Sequence, residues 1–197
     1  MKRFFFIDYE NVDTKGLDGL SSLKSNDAVY FFYSEHHSRM NFGLHKRITE
    51  SSSNFEYRKI KVTGKDALDE ELKTELEELI SIDQRAHYNI ISKDKGYDNF
   101  VSQQKKNKII INRCSDIVKA NRIALEDVEK IVYRRLVENK NNNNRFYSLE
   151  NGEIKKIAKL IISSDAKSEL NRGLQQLFYN EDVKYIFTRI RDLTYNM

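Results

Sequence analysis

Three aspartates follow stretches of the sequence that predict buried strands. Asp8 comes directly after the apolar run Phe4–Ile7, and Asp94 and Asp98 come shortly after the run Tyr88–Ile91. Ligands of an open parallel sheet bind beyond the carboxyl ends of its strands, so these acids would meet at one edge. Each acid taken alone is also explained by loop polarity or by capping of the next helix. Both interpretations stay open for each residue, and the convergence of the three favours a functional site.

A fourth aspartate, Asp69, lies inside the apolar stripe of a predicted helix. On a helical wheel of about 100° per residue it falls between Leu76 and Ile80. An ionised carboxylate that faces a core costs roughly several kcal/mol unless it is paired or bound to a metal. Either a buried salt bridge, with Lys65 as the candidate partner, or a metal site explains its position.

Carboxylates gathered at one edge repel one another unless divalent cations neutralise them. Ligands that are all oxygen suit hard cations, which indicates Mg²⁺ or Mn²⁺. A carboxylate-bound metal of this kind activates a water molecule and stabilises charge on a phosphodiester. The four aspartates therefore indicate a phosphodiester hydrolase.

Up to about residue 112, short apolar runs alternate with amphipathic helical patterns. This alternation predicts an α/β fold, a doubly wound five-stranded parallel sheet with helices on both faces. The predicted strands are Phe4–Ile7, Ala28–Tyr33, Tyr57–Val62, Tyr88–Ile91 and Ile109–Ile111. The predicted helices lie around Leu17–Leu23, Met40–Ile48, Ala67–Ile82 and Tyr97–Lys105.

From about residue 120 no strand pattern appears, and four amphipathic stripes predict a C-terminal all-helical domain. We place an α/β domain at 1–118 and the helical domain at 119–197, with an Asn-rich connector at about 139–146 that we predict to be mobile. Residues 116–197 carry 15 basic and 12 acidic groups, which gives them +3 of the chain's net charge of +4. The excess of positive charge therefore lies on the helical part.

Three segments resemble the acidic motifs of the PIN-like nucleases, especially their NYN branch. They are FIDYEN at 6–11, KDALD at 65–69 and IISKDKGYDNF at 90–100. The resemblance covers about residues 3–112 and includes the order and spacing of the motifs. It implies a PIN-like domain at 1–118 that acts as a metal-dependent nuclease, mostly on RNA. The acids that it implies are Asp8, Asp69, Asp94 and Asp98, with Asn11 supporting them.

These observations together predict a Mg²⁺- or Mn²⁺-dependent endonuclease that cleaves single-stranded RNA rather than DNA. Asp8, Asp69, Asp94 and Asp98 would hold the metal directly or through water, and Asn11 would orient Asp8 or a water. Cleavage would leave a 5′-phosphate and a 3′-hydroxyl.

Several further residues are predicted to contact the nucleic acid. One aromatic residue beside the acids is a base-stacking candidate. Lys93 replaces the small or acidic residue common in the third motif, and its cation would tune metal affinity or contact phosphate. The lysines of the helical part form either a solvated face or a track for the nucleic-acid backbone. The nucleic-acid-binding candidates are Tyr9, Lys65, Lys93, Lys155, Lys156 and Lys159.

Two other functions are alternatives to a nuclease, a phospho-receiver domain and an adaptor. A phospho-receiver domain would need an aspartate after the third strand, where Thr63, Gly64 and Lys65 stand. A catalytically weak PIN-like module that binds RNA or a protein partner as an adaptor is the stronger alternative. The helical domain is the candidate surface for a protein partner or for homo-oligomers.

The composition of the 197-residue chain excludes several classes of protein. With one cysteine, Cys114, the chain has neither an internal disulfide nor a cysteine-based zinc site. No apolar run approaches the ~20 residues of a membrane span, so we predict a cytoplasmic location. The mildly positive net charge permits a polyanionic partner without requiring one.

Overall fold

The computed structural model describes residues 1–37, 39–61, 66–138, 149–164 and 166–194. The chain divides into two compact units, one formed by residues 2–121 and the other by Met1 and residues 122–197. Lys65 and the connector predicted at about 139–146 lie outside the described residues.

The first unit is built on a sheet of five parallel strands. The strands are β1 (Arg3–Asp8), β2 (Asp27–Ser34), β3 (Asn54–Ile60), β4 (His87–Ile91) and β5 (Ile110–Cys114), in the order β3-β2-β1-β4-β5. The predicted doubly wound α/β fold is confirmed. From β1 the chain adds β2 and then β3 on one side, and it then crosses to add β4 and β5 on the other side of β1. The strand order therefore reverses between β1 and β4, and their carboxyl ends border the crevice where ligands bind in such folds.

Hydrophobicity decides which strands occupy the centre of the sheet. Every residue of β1 and β4 is buried, as the continuous apolar runs require of strands covered on both faces. The edge strand β3 alternates between exposed and half-buried residues. Helix α3 (Ala67–Ile82) packs one apolar stripe on the sheet, and its buried members are Leu68, Leu72, Leu76 and Ile80.

The structure corrects the prediction of the first helix. A helix was predicted around Leu17–Leu23, whereas α1 covers Tyr9–Gly16 and only a short 3-10 turn follows at Leu20–Ser22. Helix α1 begins this early because the Asp8 side chain accepts a hydrogen bond from the backbone N–H of Asn11 and so caps the first turn. The leucines instead lie buried in the connection to β2.

The remaining helices of the first unit are α2 (Phe42–Thr49) and α4 (Asp98–Lys106). Helix α5 (Ile117–Tyr133) begins in the first unit and belongs to the second from Arg122 onward. A π-helical segment, Arg134–Glu138, continues α5. The second unit contains α6 (Asn151–Ser163), α7 (Lys167–Leu177) and α8 (Asn180–Ile190) around an aliphatic core. Within the described ranges, no helix has the length and the hydropathy that crossing a membrane requires.

Candidate active site

A hydrogen-bond chain joins the carboxyl ends of β1 and β4. The buried Asp8 is the last residue of β1, and its Oδ2 accepts a hydrogen bond of 2.8 Å from the hydroxyl of Ser92. Ser92 follows β4, and its Oγ accepts a hydrogen bond of 3.0 Å from the backbone N–H of Asp94. Strand order therefore places two of the predicted acids on one chain of contacts at the crevice.

The environment of Asp8 opposes its ionisation. Burial raises the pKa of this carboxyl group from 3.8 to about 6, and the charges of Asp69 and Glu10 act in the same direction. The hydrogen bonds from Ser92 and from the backbone of Asn11 lower the pKa and offset part of that effect. A carboxylate in this setting gains from a cation placed beside it.

In chelator, we expect the contribution of Asp8 to the stability of the fold to fall as the pH rises from about 4 to about 7. Between the ordinary pKa of 3.8 and the folded-state pKa of about 6, the folded chain holds a proton on Asp8 that the unfolded chain has released. The stabilisation that this proton provides is complete below pH 3.8 and is lost above about pH 6. It amounts to at most about 3 kcal/mol at 1.36 kcal/mol per pKa unit.

Urea unfolding of the wild type and of Asp8→Asn at several pH values in chelator measures this contribution. The wild type should lose stability across the window relative to the variant, because asparagine does not titrate. Two pH profiles that run parallel would contradict the assignment of the raised pKa to Asp8.

Asp69 is held by a tyrosine rather than by a described cation. Its Oδ1 accepts a hydrogen bond of 2.6 Å from the hydroxyl of the fully buried Tyr97. Asp69 is half-buried in the first turn of α3, and its burial raises the pKa of the carboxyl group. The hydrogen bond from Tyr97 and the charge of Lys73 lower this pKa and offset part of the increase, whereas the charge of Asp94 adds to it. The alternative partner named from the sequence, Lys65, lies outside the described residues.

Three of the predicted carboxylates lie near the side chain of Tyr97. Burial raises the pKa of the Tyr97 hydroxyl above its ordinary value, and the charges of Asp8, Asp69 and Asp94 each add to the increase. Asp94 is exposed, and its Oδ1 accepts a hydrogen bond of 2.7 Å from the backbone N–H of Gly96. The structure thus brings together three of the four predicted acids.

Asp98 is engaged elsewhere. Arg113 of β5 donates to both of its carboxylate oxygens, with Nε at 2.6 Å from Oδ1 and Nη2 at 3.2 Å from Oδ2. These hydrogen bonds lower the pKa of Asp98. The same guanidinium group donates through Nη1 to the carbonyl oxygen of Ser92, at 3.1 Å. Asp98 is therefore paired with a cation, and Arg113 links it to the backbone of Ser92 at the same edge of the sheet.

The donor set fits the chemistry of a hard divalent cation. Asp8, Asp69 and Asp94 offer oxygen ligands only, and their mutual repulsion is relieved by positive charge. In the part of the chain that the structure describes, however, no three His, Cys, Asp or Glu side chains form a group that could hold a metal ion. Sharing one ion among these three acids therefore requires movement of at least one carboxylate.

The supporting residues lie at the same edge of the sheet. The side-chain oxygen of Asn11 accepts a hydrogen bond of 2.9 Å from the backbone N–H of Lys93, which ties the start of α1 to the loop after β4. The Lys93 side chain is exposed. Tyr9 departs from its predicted role: it is buried, and its ring packs against Phe31 with centroids 4.7 Å apart. This packing makes it a core residue rather than a stacking surface for a base.

Two contributors to this edge were not among the predicted site residues. Ser92 belongs to the third motif, but its hydroxyl was not assigned a role until the structure placed it on Asp8. Arg113 was missed because the fifth strand was predicted to end at Ile111, whereas β5 continues to Cys114. Extending that strand would have put a cation among the strand-end residues. In the helical unit, the lysines of α6 are all exposed: Lys155, Lys156 and Lys159.

Comparison with known proteins identifies the family of the first unit. The family model described as the PIN domain matches residues 2–114, more than half of the chain, so the chain belongs to that family. PIN domains are generally nucleases that need metal ions, and they bind nucleic acids, generally RNA. No curated protein and no solved structure shows a significant match to the chain.

Proposed function

We propose, on the premise of membership of the PIN domain family, that the chain is a Mg²⁺- or Mn²⁺-dependent endoribonuclease that cleaves single-stranded RNA. The observation that carries the proposal is the hydrogen-bond chain through Ser92 that joins Asp8 and Asp94 at the crevice edge of the sheet, together with Asp69 on the hydroxyl of the nearby Tyr97. Assignment to the NYN-like branch and a cytoplasmic location are parts of the same proposal and rest on the sequence.

Each residue of the group has a proposed role. Asp8, Asp69, Asp94 and Asp98 would hold the metal, each of them directly or through a water molecule. When bound, the metal supplies an activated water and neutralises charge on the phosphodiester. Ser92 and the backbone of Asn11 hold the Asp8 carboxylate in one orientation through hydrogen bonds of 2.8 and 3.3 Å.

Two cations have proposed roles at the scissile phosphate. Lys93 is the second residue after β4 and its side chain is exposed, and Lys65 precedes α3 in the sequence. Either ammonium group would bind a non-bridging phosphate oxygen. Arg113 keeps Asp98 ionised and holds the carbonyl oxygen of Ser92, and so it fixes the loop that carries the acids.

Incubation of the full chain with labelled single-stranded RNA and single-stranded DNA tests the function. We expect cleavage of the RNA in Mn²⁺ or Mg²⁺, products with a 5′-phosphate and a 3′-hydroxyl, and no cleavage in chelator. Preferential cleavage of the DNA would contradict the substrate, and cleavage that persists in chelator would contradict the metal requirement.

Asp69→Asn separates a metal-holding role from a structural one. If Asp69 is a metal ligand, its substitution should change the free energy of unfolding in chelator by little and should lower the affinity of the chain for Mn²⁺. As half of a buried ion pair, its loss would cost ~3–5 kcal/mol. Unfolding in chelator and calorimetric titration with Mn²⁺ measure the two quantities. The neighbouring exposed Glu70→Gln is the matched control, and it should change neither.

One observation favours a second function, that of a catalytically weak RNA-binding or partner-binding adaptor. The acids of the described residues do not stand as a ready ligand group, and Asp98 is paired with Arg113. An adaptor would bind RNA without cleaving it and would show no saturable binding of Mn²⁺. The titration above therefore distinguishes the two functions.

We also propose the domain organisation that the sequence predicts, with the nuclease at 1–118 and a helical domain at 119–197. The net positive charge of the helical part suits contact with RNA, and its exposed lysines on α6 are the proposed contacts. A protein partner or a second copy of the chain is the alternative occupant of this part.

A further inference from the structure

The helical unit contains a cavity of about 360 Å³ that the nuclease chemistry does not use. Its lining consists of Glu129, Lys130 and Tyr133 of α5, Arg134 directly after it, and Asn151 and Ile154 of α6. The volume lies within the ~300–1,000 Å³ of pockets that take small organic groups. The cavity therefore has room for a group of the size of one nucleotide base.

The side chains around the cavity offer three kinds of contact. Tyr133 is 42% exposed, so its ring is accessible for stacking. Lys130 and Arg134 are exposed cations spaced four residues apart, which places them on one side of the helix. Glu129 and Asn151 add polar groups that can pair with a base edge. With one acid and two cations, the lining carries a net charge of +1.

Both cations are accessible to a ligand. The Nζ of Lys130 lies 3.5 Å from Asp127, in a pair whose lysine side chain is 67% exposed, and exposed pairs of this kind contribute at most ~1 kcal/mol. Arg134 begins the π-helical segment, a departure from α-helical geometry that is frequent at functional sites. By contrast, the next residue, Arg135, is bound to the carbonyl oxygen of Arg189 and to Asp192.

The lysines of α6 are not equivalent with respect to this cavity. On a wheel of about 100° per residue, Lys155 lies about 40° from Asn151, whereas Lys156 lies about 140° from it on the side away from Ile154. Lys155 is therefore at the rim of the cavity, and Lys156 faces away.

We propose that this cavity binds one nucleotide of a single-stranded RNA, with the base stacked on Tyr133 and the flanking phosphates on Lys130, Arg134 and Lys155. An aromatic ring next to cations is the combination that single-stranded nucleic acids bind without strict sequence preference. The proposal rests on the proposed function for the identity of the substrate, and it assigns a binding role to the helical unit.

The binding of a labelled single-stranded RNA to the full chain in chelator tests the proposal, because no cleavage occurs there. Tyr133→Ala should weaken binding by about 5- to 150-fold, the equivalent of the ~1–3 kcal/mol that one stacked base contributes. Tyr133→Phe should bind like the wild type, since it keeps the ring. Tyr179→Ala, at a tyrosine of the same unit that is 87% exposed, is the control.

The charged residues give a second readout. Arg134→Gln and Lys155→Gln should each reduce the slope of log K against log salt by up to about 0.7, the value for one phosphate contact on a single strand. Arg172→Gln, at an exposed arginine of α7 outside the lining of the cavity, should leave the slope unchanged. A duplex RNA, whose bases are already stacked and paired, should bind with the same affinity to the wild type and to Tyr133→Ala.

Wild-type affinity for the single strand in Tyr133→Ala, or an equal loss in Tyr179→Ala, would overturn the proposal. So would equal slopes in Lys155→Gln and Arg172→Gln, or a chain that binds no RNA in chelator. The failure of the proposed function gives a different result: Tyr133-dependent binding without any cleavage in Mn²⁺. Circular dichroism of each variant verifies that the helical unit is folded.

Discussion

Asp94→Asn and Asp8→Asn should each reduce the cleavage of single-stranded RNA by about 10³-fold or more. Metal-based stabilisation of a phosphodiester transition state is worth several kcal/mol, and each 1.36 kcal/mol corresponds to a factor of ten in rate. Each substitution removes one charge and one carboxylate oxygen from the proposed metal ligands. Initial rates at saturating RNA and Mn²⁺ measure the loss.

The control for this experiment is Asp18→Asn. Asp18 is an exposed acid in the connection after α1, and its side chain forms an ion pair with Arg47. It has no proposed role at the metal. Its variant should cleave RNA at the wild-type rate. Cleavage at an undiminished rate by both Asp8→Asn and Asp94→Asn would remove these acids from the reaction and favour the adaptor.

The fold could be predicted from sequence where burial alone decides the structure. Helix α3 was predicted and observed at Ala67–Ile82, because its apolar residues repeat on one helical face and every one of that stripe packs on the sheet. The central strands were found for a similar reason, since β1 and β4 are buried on both faces. The first helix was misplaced because the prediction relied on the apolar residues of Leu17–Leu23, whereas α1 consists mainly of polar residues.

The sequence could predict which acids follow the ends of strands, but not which side chains contact them there. Parallel pairing of β1 with β4 brings Asp8 and the residues after Ile91 to one edge, which a strand-end argument anticipates. It does not anticipate that Asp98 turns to Arg113, because that contact depends on where a long side chain of another strand reaches. The catalytic roles of the four acids stay predictions that the variants above test.

Asp8 shares the sheet with another buried carboxylate, Asp27, whose surroundings are opposite. Asp27 is fully buried and pairs with the buried guanidinium of Arg3, which donates from Nε at 2.8 Å and also from Nη2. The backbone N–H of Lys24 adds a third hydrogen bond of 2.8 Å. Asp8 receives two hydrogen bonds but forms no ion pair with any residue that the structure describes. A buried acid with its own cation is structural, whereas one without a cation is suited to bind one from outside.

Substitution of the two acids should therefore change stability in opposite directions in metal-free buffer at neutral pH. Asp27→Asn should destabilise the fold by ~3–5 kcal/mol, since it leaves the positive charge of Arg3 buried without an opposite charge. Asp8→Asn should stabilise the fold, by at most the about 3 kcal/mol that corresponds to its raised pKa. Urea unfolding in chelator measures both changes. Adding Arg3→Met to Asp27→Asn should restore much of the loss, because it removes the unpaired charge. A destabilised Asp8→Asn would make both acids structural, and the crevice would then lose the physical argument for a metal.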